Sequence, residues 1–242
     1  MCSMRAKKKD AKSPESGFIE HIGKTIKFDV GRLARLGFPE VVLAEGKEIE
    51  EIFSVIEMHI SKRKSVVLSR LDQQIFNEIA DNLREKLIYT AKGRVAYYRG
   101  SDAPAYRGKV AVVTAGTSDI HIAQESIALL DFFRIKHDEY FDCGIAGLHR
   151  SIAAAKAIAE GDYDVVLVFA GMEGALASVL ASLLPHPIIG IPTSSGYGNA
   201  GSGVAALNAM LQSCVPGLVV LNIDNGVGAV AATVRMLRKI GK

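Results

Sequence analysis

From Lys109 onward the chain repeats one unit: a short strand-like run, a loop of glycine and small polar residues, then a helical stretch. The runs are VAVVTAG, HDEYFDCG, DVVLVFAG, HPIIGIP and GLVVLNIDNG. Helices are expected over about 118–133, 148–160 and 173–184, then after a glycine-rich loop, and finally to Ile240. Four of the five runs have a continuous apolar core, the pattern of strands buried on both faces. Strands alternating with helices specify a parallel, doubly wound α/β sheet with right-handed crossovers. Ligands on such sheets bind beyond the carboxyl ends of the strands, so the loops there define the search for a site.

The preceding stretch, residues 17–98, reads as a smaller N-terminal α/β domain. It has a helix over Phe28–Leu36, a strand at Val41–Ala44 and helically spaced Ile49, Ile52, Phe53, Ile56 and Ile60. A strand over Ser65–Ser69, a helix over Asp72–Glu85 and strands at Lys86–Thr90 and Arg94–Tyr98 follow. So thin a unit cannot cover both faces of its sheet and has to pack against something. RGSDAPAYRG, residues 99–108, mixes glycine, proline and charge without periodicity and is the expected linker to the catalytic domain at 109–242.

Composition narrows the function classes. The net charge is only +3, and much of it sits in residues 1–16, read as a disordered basic tail, so nucleic acid is not an expected partner. No apolar stretch reaches the roughly 20 residues of a membrane span, and no apolar segment of a secretory signal follows the basic start. Cys2, Cys143 and Cys214 form neither CxxC nor a metal-finger spacing, which points to a reducing, cytoplasmic setting.

Each predicted strand end carries glycine and a polar group. Gly116-Thr117-Ser118-Asp119 stands where a strand becomes a helix; such a turn caps the helix, and the same N-terminus attracts an anion. It matches neither GxGxxG nor a P-loop. Gly147-Leu148-His149-Arg150 places a histidine beside a guanidinium suited to phosphate. A lone histidine is more often structural, but its arginine neighbour favours function. Gly171-Met172-Glu173 ends an apolar strand; a glutamate there suits the helix dipole, and at the rim of a dry cleft it would also suit a base. Thr193, Ser194, Gly196, Tyr197 and Gly198 form the glycine-rich loop, and Asn222, Asp224 and Asn225 close the last strand. Lys47 and Arg70 stand at strand ends of the smaller domain; surface charge is their plain reading, and phosphate contacts their functional one if that domain covers the cleft. Free cysteine is usually a small buried hydrophobe, which suits Cys143. Cys214, in the turn QSCVPG between a helix and a strand, is placed for a thiolate attacking an electrophile.

The motifs Gly116-Thr117-Ser118-Asp119, Leu148-His149-Arg150, Ala170-Gly171 and Pro187 to Pro192 resemble the aminoimidazole ribonucleotide carboxylase and mutase family of purine synthesis. AGMEGAL, PTSSGYG, LNAMLQSCVPG and NIDNG, with GFPEVVLAEGK upstream, are closer to its paralogue, the LarB family of nickel-pincer cofactor biosynthesis. That resemblance runs from about Gly31 to Lys242. It implies a reaction on nicotinic acid adenine dinucleotide: carbon dioxide is added to the pyridinium ring and the phosphoanhydride is cleaved, releasing AMP and pyridinium-3,5-biscarboxylic acid mononucleotide. Cys214 matches the family cysteine that attacks the ring, and Glu173 matches an active-site glutamate. Glu173 or His149 takes the ring proton, with His149 preferred for the ring and Glu173 for positioning or activating the hydrolytic water. Arg150, the Thr117 to Asp119 turn, Lys47 and Arg70 are assigned the phosphates, with magnesium held largely by substrate. Small residues over Ala200–Ala209 and the resemblance together imply a symmetric homo-oligomer, with an octamer as the expected form. The alternatives are a purine-type carboxyaminoimidazole ribonucleotide mutase and a non-catalytic nucleotide-binding protein.

Overall fold

The structure is a computed structural model that describes residues 19–22 and 26–240. The basic tail expected over residues 1–16 lies outside the described residues. A hairpin comes first, β1 (Ile19–Ile22) antiparallel to β2 (Ile26–Asp29). The helix expected over Phe28–Leu36 is shorter than that, α1 (Arg32–Leu36), and Phe28 belongs to β2. Exposed Lys27 followed by buried Phe28 is a two-residue alternation, which favours a strand. Asp29 then ties the turn by donating its N–H to Glu40 (2.5 Å) and pairing with Arg35 (2.6 Å).

β3 (Val41–Leu43), α2 (Ile49–Ser61) and β4 (Val66–Ser69) follow as expected. The helix expected over Asp72–Glu85 is two short ones, α3 (Gln73–Glu78) and α4 (Asp81–Arg84). Ile79 and Ala80 between them are extended, with ψ of 133° and 137°, and Ile79 is thereby buried in the core. β5 (Ile88–Thr90) and β6 (Val95–Tyr98) complete a sheet of order β3-β4-β6-β5, in which β6 runs antiparallel to both neighbours. Ile52, Val55, Ile56 and Ile60 of α2 cover one face, against Val66, Leu68 and Ala96. Val67, Val95 and Tyr97 on the other face join the core of the second unit, where Tyr97 meets Phe132 edge-on. The thin sheet finds its missing cover within the same chain.

Residues 99–108 carry no helix or strand, but they are stapled to both units. Arg99 donates to the carbonyl of Asp131 (2.5 Å), Gly100 N–H to Ser65 Oγ (3.0 Å) and the Tyr106 hydroxyl to the carbonyl of Gly37 (2.5 Å). Gly93, in the β5–β6 turn, rests on the next helix: a Cβ there would stand 2.6 Å from the carbonyl oxygen of Gln124. Gly93→Ala is therefore expected to cost about 1–3 kcal/mol, read as a lower denaturant midpoint with an unchanged slope.

The second unit runs β7 (Lys109–Thr114), α5 (Ile120–Phe132), β8 (Lys136–Tyr140), α6 (Leu148–Ala159), β9 (Val165–Ala170) and α7 (Ala175–Leu183). It continues with β10 (Ile188–Pro192), α8 (Val204–Leu211), β11 (Val219–Val220) and α9 (Gly226–Ile240). All five strands are parallel, in the order β11-β10-β9-β7-β8. Their side chains divide by parity. Val110, Val112, Leu167, Phe169 and Ile189 face α5, α9 and the N-terminal sheet, while Ala111, Val113, Val166 and Val168 face α6, α7 and α8. Among the described residues no helix is long and apolar enough to cross a membrane.

Candidate active site

The strand order reverses direction between β7 and β9. The loop leaving β7 leads to α5 on one face and the loop leaving β9 to α7 on the other, so the two diverge and leave a crevice. A cavity of about 480 Å³ opens there. Four strand ends line it: Gly116, Ser118 and Asp119 after β7; Asp142, Ile145, Ala146 and Arg150 after β8; Gly171, Met172 and Glu173 after β9; Ser195 and Tyr197 after β10. Asp142 (φ 57°) and Met172 (φ 48°) are left-handed without being glycine. Such backbone persists where the surroundings dictate it, as they do at ligand sites.

Asp119 is the buried organiser of this mouth. One carboxylate oxygen accepts the N–H of Gly116 (2.7 Å), and the other accepts the hydroxyls of Thr193 and Ser195 (2.5 Å each). The turn at Thr117–Asp119 thus does not cap forward into α5; its carboxylate reaches back to Gly116 and across to the β10 loop. Neither α5 nor α6 has a side-chain cap, and the N-terminal ends of both lie beside the cavity, where the helix dipole favours an anion. Arg150 adds a guanidinium from the first turn of α6, held by an ion pair with Asp142. Gly171 is packed too closely for any side chain: a Cβ would lie 2.5 Å from Ser195 Oγ and 2.9 Å from Thr193 Oγ1.

Several expected site residues lie elsewhere. Glu173 lines the cavity, but in the turn ahead of α7 and exposed, so its rim is wet. His149 is exposed in the first turn of α6 and outside the cavity lining, and Thr117 and Lys47 are exposed as well. Gly147 sits under Arg150, where a Cβ would stand 2.9 Å from its Nε. Gly198 adopts φ of 63° in the β10 loop, and Gly196 stands beside Gly171, both outside the lining. Asn222 accepts the N–H of Ile223 (2.9 Å), and Asn225 caps α9 by accepting the N–H of Gly228 (2.7 Å). Asp224 accepts the N–H of Ser194 (2.8 Å).

Arg70, Ser194 and Asp224 meet in a second groove of about 320 Å³, between the two units, with Glu45, Lys92, Arg94, His121 and Glu125. Glu125 and Asp142 escape a strand-end search for different reasons. Asp142 does stand at a strand end, but its role shows only through Arg150. Glu125 comes from the middle of α5, where the one signal is a charge amid AQESIALL. Buried against the other unit, Glu125 accepts the Ser69 hydroxyl. Burial pushes its carboxyl above the usual range, against the pull of Ser69, Arg70 and the N–H groups of Val227 and Gly226. A raised folded-state pKa contributes stability that is fully present below the ordinary value of 4.5 and is lost as pH rises through the raised one. The stability of Glu125→Gln relative to the parent is therefore expected to climb as pH rises above the ordinary value of 4.5, measured by denaturant titration; a pH-independent difference would contradict it.

The two described cysteines separate cleanly. Cys143 is buried, and burial raises its thiol pKa, so it is inert packing. Cys214 is exposed in the turn beyond α8, which runs away from the carboxyl edge of the sheet. Its neighbour Ser213 bonds to Ser178 of α7 (2.8 Å), and the thiol does not line the cavity. Among the described residues no three His, Cys, Asp or Glu side chains converge as metal ligands.

The AIR carboxylase family matches residues 109–240, and the LarB/PurE-like N-terminal domain matches residues 19–100. The uncharacterized protein MJ0165 of Methanocaldococcus jannaschii is 37% identical over 220 residues, 88% of this chain and 84% of its own length. The N5-carboxyaminoimidazole ribonucleotide mutase of the same organism is 27% identical over 131 residues, 53% of this chain and 78% of the mutase. A crystal structure of Treponema denticola PurE superposes with a TM-score of 0.43 at 16% identity, covering 52% of this chain and 78% of that one.

Proposed function

Because the chain belongs to the AIR carboxylase family and carries the LarB/PurE-like N-terminal domain ahead of it, we propose that it is a carboxylase and phosphoanhydride hydrolase. Its substrates are nicotinic acid adenine dinucleotide, carbon dioxide and water, and its products pyridinium-3,5-biscarboxylic acid mononucleotide and AMP. The observation that carries this assignment is the free, exposed thiol of Cys214 in a chain whose other described cysteine is buried.

A pyridinium ring is electron-poor and does not attack carbon dioxide. Addition of the Cys214 thiolate para to the ring nitrogen breaks aromaticity and makes the adjacent meta carbon an enamine-like nucleophile. That carbon attacks carbon dioxide, a base removes its proton, and expulsion of the thiolate restores the ring. In this reading His149, which lies outside the cavity lining of its own chain, takes the ring proton in an assembly that brings it to the ring, and Glu173 on the cavity rim activates the water that opens the anhydride. Arg150 and the uncapped starts of α5 and α6 counter the phosphate charge. With no convergent donor set among the described residues, magnesium would arrive on substrate phosphate.

The thiol does not line the cavity of its own chain, so the chemistry calls for a second copy whose Cys214 reaches that cavity. The layer of α6, α7 and α8 exposes Leu148, Ile152, Leu183, Val204 and Leu211, which suits burial against such a copy. The deciding experiment is mass spectrometry of the products from nicotinic acid adenine dinucleotide and isotopically labelled bicarbonate. Label in a mononucleotide, with AMP released in equal amount, is expected. Unchanged dinucleotide alongside turnover of N5-carboxyaminoimidazole ribonucleotide would replace the proposal with a purine mutase.

A further inference from the structure

We infer that the N-terminal unit carries a binding site of its own, for a small primary ammonium ion with an apolar body. The site is a cavity of about 250 Å³ between the β1–β2 hairpin, α1 and the C-terminal end of α2. Pro39, Glu40, Lys64 and Ser65 line it just ahead of β3 and β4, whereas the groove between the units stands at the far ends of those strands. Phe28, Val30, Leu33, Pro39 and Met58 give it an apolar bed. Its volume falls below the roughly 300–1,000 Å³ of sites for drug-sized molecules, so its occupant is small.

Two acceptors in this bed are left open. His59 is only 3% exposed, and it lines the cavity. A carbonyl only accepts, so Nδ1 donates to that of Val55 (2.7 Å), and the lone pair of the neutral ring sits on Nε2. Burial holds the imidazole below the ordinary histidine value, against the pull of the Val55 carbonyl, Asp102 and Glu40, and so keeps it uncharged. Nε2 makes no hydrogen bond with a described residue, yet it is not sealed in protein as the orphan Nδ1 of His186 is. The second acceptor is Glu40. Around the cavity Glu20 pairs with Lys62, Asp29 with Arg35 (2.6 Å) and Asp102 with Lys64 (3.6 Å), whereas Glu40 has no cation among the described residues. One of its oxygens accepts the Asp29 N–H (2.5 Å), and the other is open.

An ammonium group satisfies both acceptors at once. It donates one N–H to the carboxylate and another to the ring nitrogen, and it neutralises the one unpaired charge. An anion instead meets Glu40 beside three further carboxylates. A neutral hydrocarbon leaves Nε2 and Glu40 without a donor, and a quaternary ammonium brings charge but no N–H. The five apolar side chains then select a ring or a short branched chain as the body of the ligand.

The test is titration of the intact protein with benzylamine, followed by calorimetry and by long-range proton–nitrogen NMR of the histidine rings. Neither readout needs turnover, so the outcome is independent of the reaction proposed above. A Kd of about 1 mM or tighter is expected, with an upfield shift of the His59 Nε2 resonance as it accepts a hydrogen bond. Phenylacetate and benzyltrimethylammonium should bind at least about tenfold more weakly. Glu40→Gln keeps an oxygen for the Asp29 N–H while removing the charge, and His59→Phe keeps a ring against Phe28 while removing the acceptor. Each is expected to raise the benzylamine Kd by at least about tenfold, while Glu173→Gln, at the other cavity, leaves it unchanged. Should His59→Phe fail to fold, Glu40→Gln and the Nε2 resonance of the parent still decide. No binding by the parent, equal binding of phenylacetate, saturation with the His59 resonance unmoved, or parent-like affinity in Glu40→Gln would each overturn the assignment.

Discussion

Replacing Cys214 with alanine is expected to abolish label incorporation from bicarbonate, lowering kcat by about three to six orders of magnitude. In the proposed reaction the ring becomes a carbon nucleophile only after the thiolate has added to it. The fold should not notice: the side chain is exposed in a turn, and changes at such places usually stay within about 0.5 kcal/mol. An unchanged denaturation midpoint together with lost turnover separates chemistry from folding. Retained carboxylation by Cys214→Ala would exclude the covalent route. A companion experiment addresses where the thiol acts. Mixing Cys214→Ala with Glu173→Gln, each impaired alone, should restore activity if one chain's cavity is served by another chain's cysteine; an inactive mixture that does co-assemble would rule out sharing.

The second large effect is structural. Asp119→Ala removes a buried carboxylate that accepts one N–H and two hydroxyls, leaving the Gly116 N–H without its acceptor and the hydroxyls of Thr193 and Ser195 with only each other (2.8 Å). Each stranded donor costs about 1–3 kcal/mol, and with the Gly116 N–H and one hydroxyl left open a loss of at least about 2 kcal/mol is expected, or roughly 4–8 °C in Tm at the usual 2–4 °C per kcal/mol for a chain of this size. Asp119→Asn should lose less. One amide oxygen can still serve both hydroxyls, and only the acceptor facing Gly116 becomes a donor. Thermal denaturation of the three proteins decides this. An alanine variant that melts like the parent would mean the two loops are held by something other than this carboxylate. Because Gly171 packs against Ser195 and Thr193, released hydroxyls also disturb the cavity wall, and weaker substrate binding should accompany the lost stability.

Periodicity made most of the second unit legible. Its strands are buried on both faces and announce themselves as apolar runs, and glycine-rich loops mark their carboxyl ends without reference to anything distant in the chain. The same logic located Ser118, Asp119, Arg150, Gly171, Met172, Glu173 and Tyr197, which the structure gathers around one cavity. It misjudged Phe28 and Ile79, because local helical spacing there yields to burial of a single large side chain in the neighbouring core. It treated residues 99–108 as a linker, because hydrogen bonds to Phe133, Asp131, Ser65 and Gly37 leave no trace in composition.

By itself, then, the sequence determined the order and kind of the elements, the parallel sheet and the set of loops in which chemistry has to be sought, since these follow from side-chain period and glycine placement along the chain. Only the tertiary structure decided which of those loops meet, that Arg150 answers to Asp142, that Glu125 and the left-handed arginines share a groove between the units, and that Cys214 stands outside its own chain's cavity. Those facts depend on strand order and on packing between residues more than fifty positions apart, and a one-dimensional pattern carries neither.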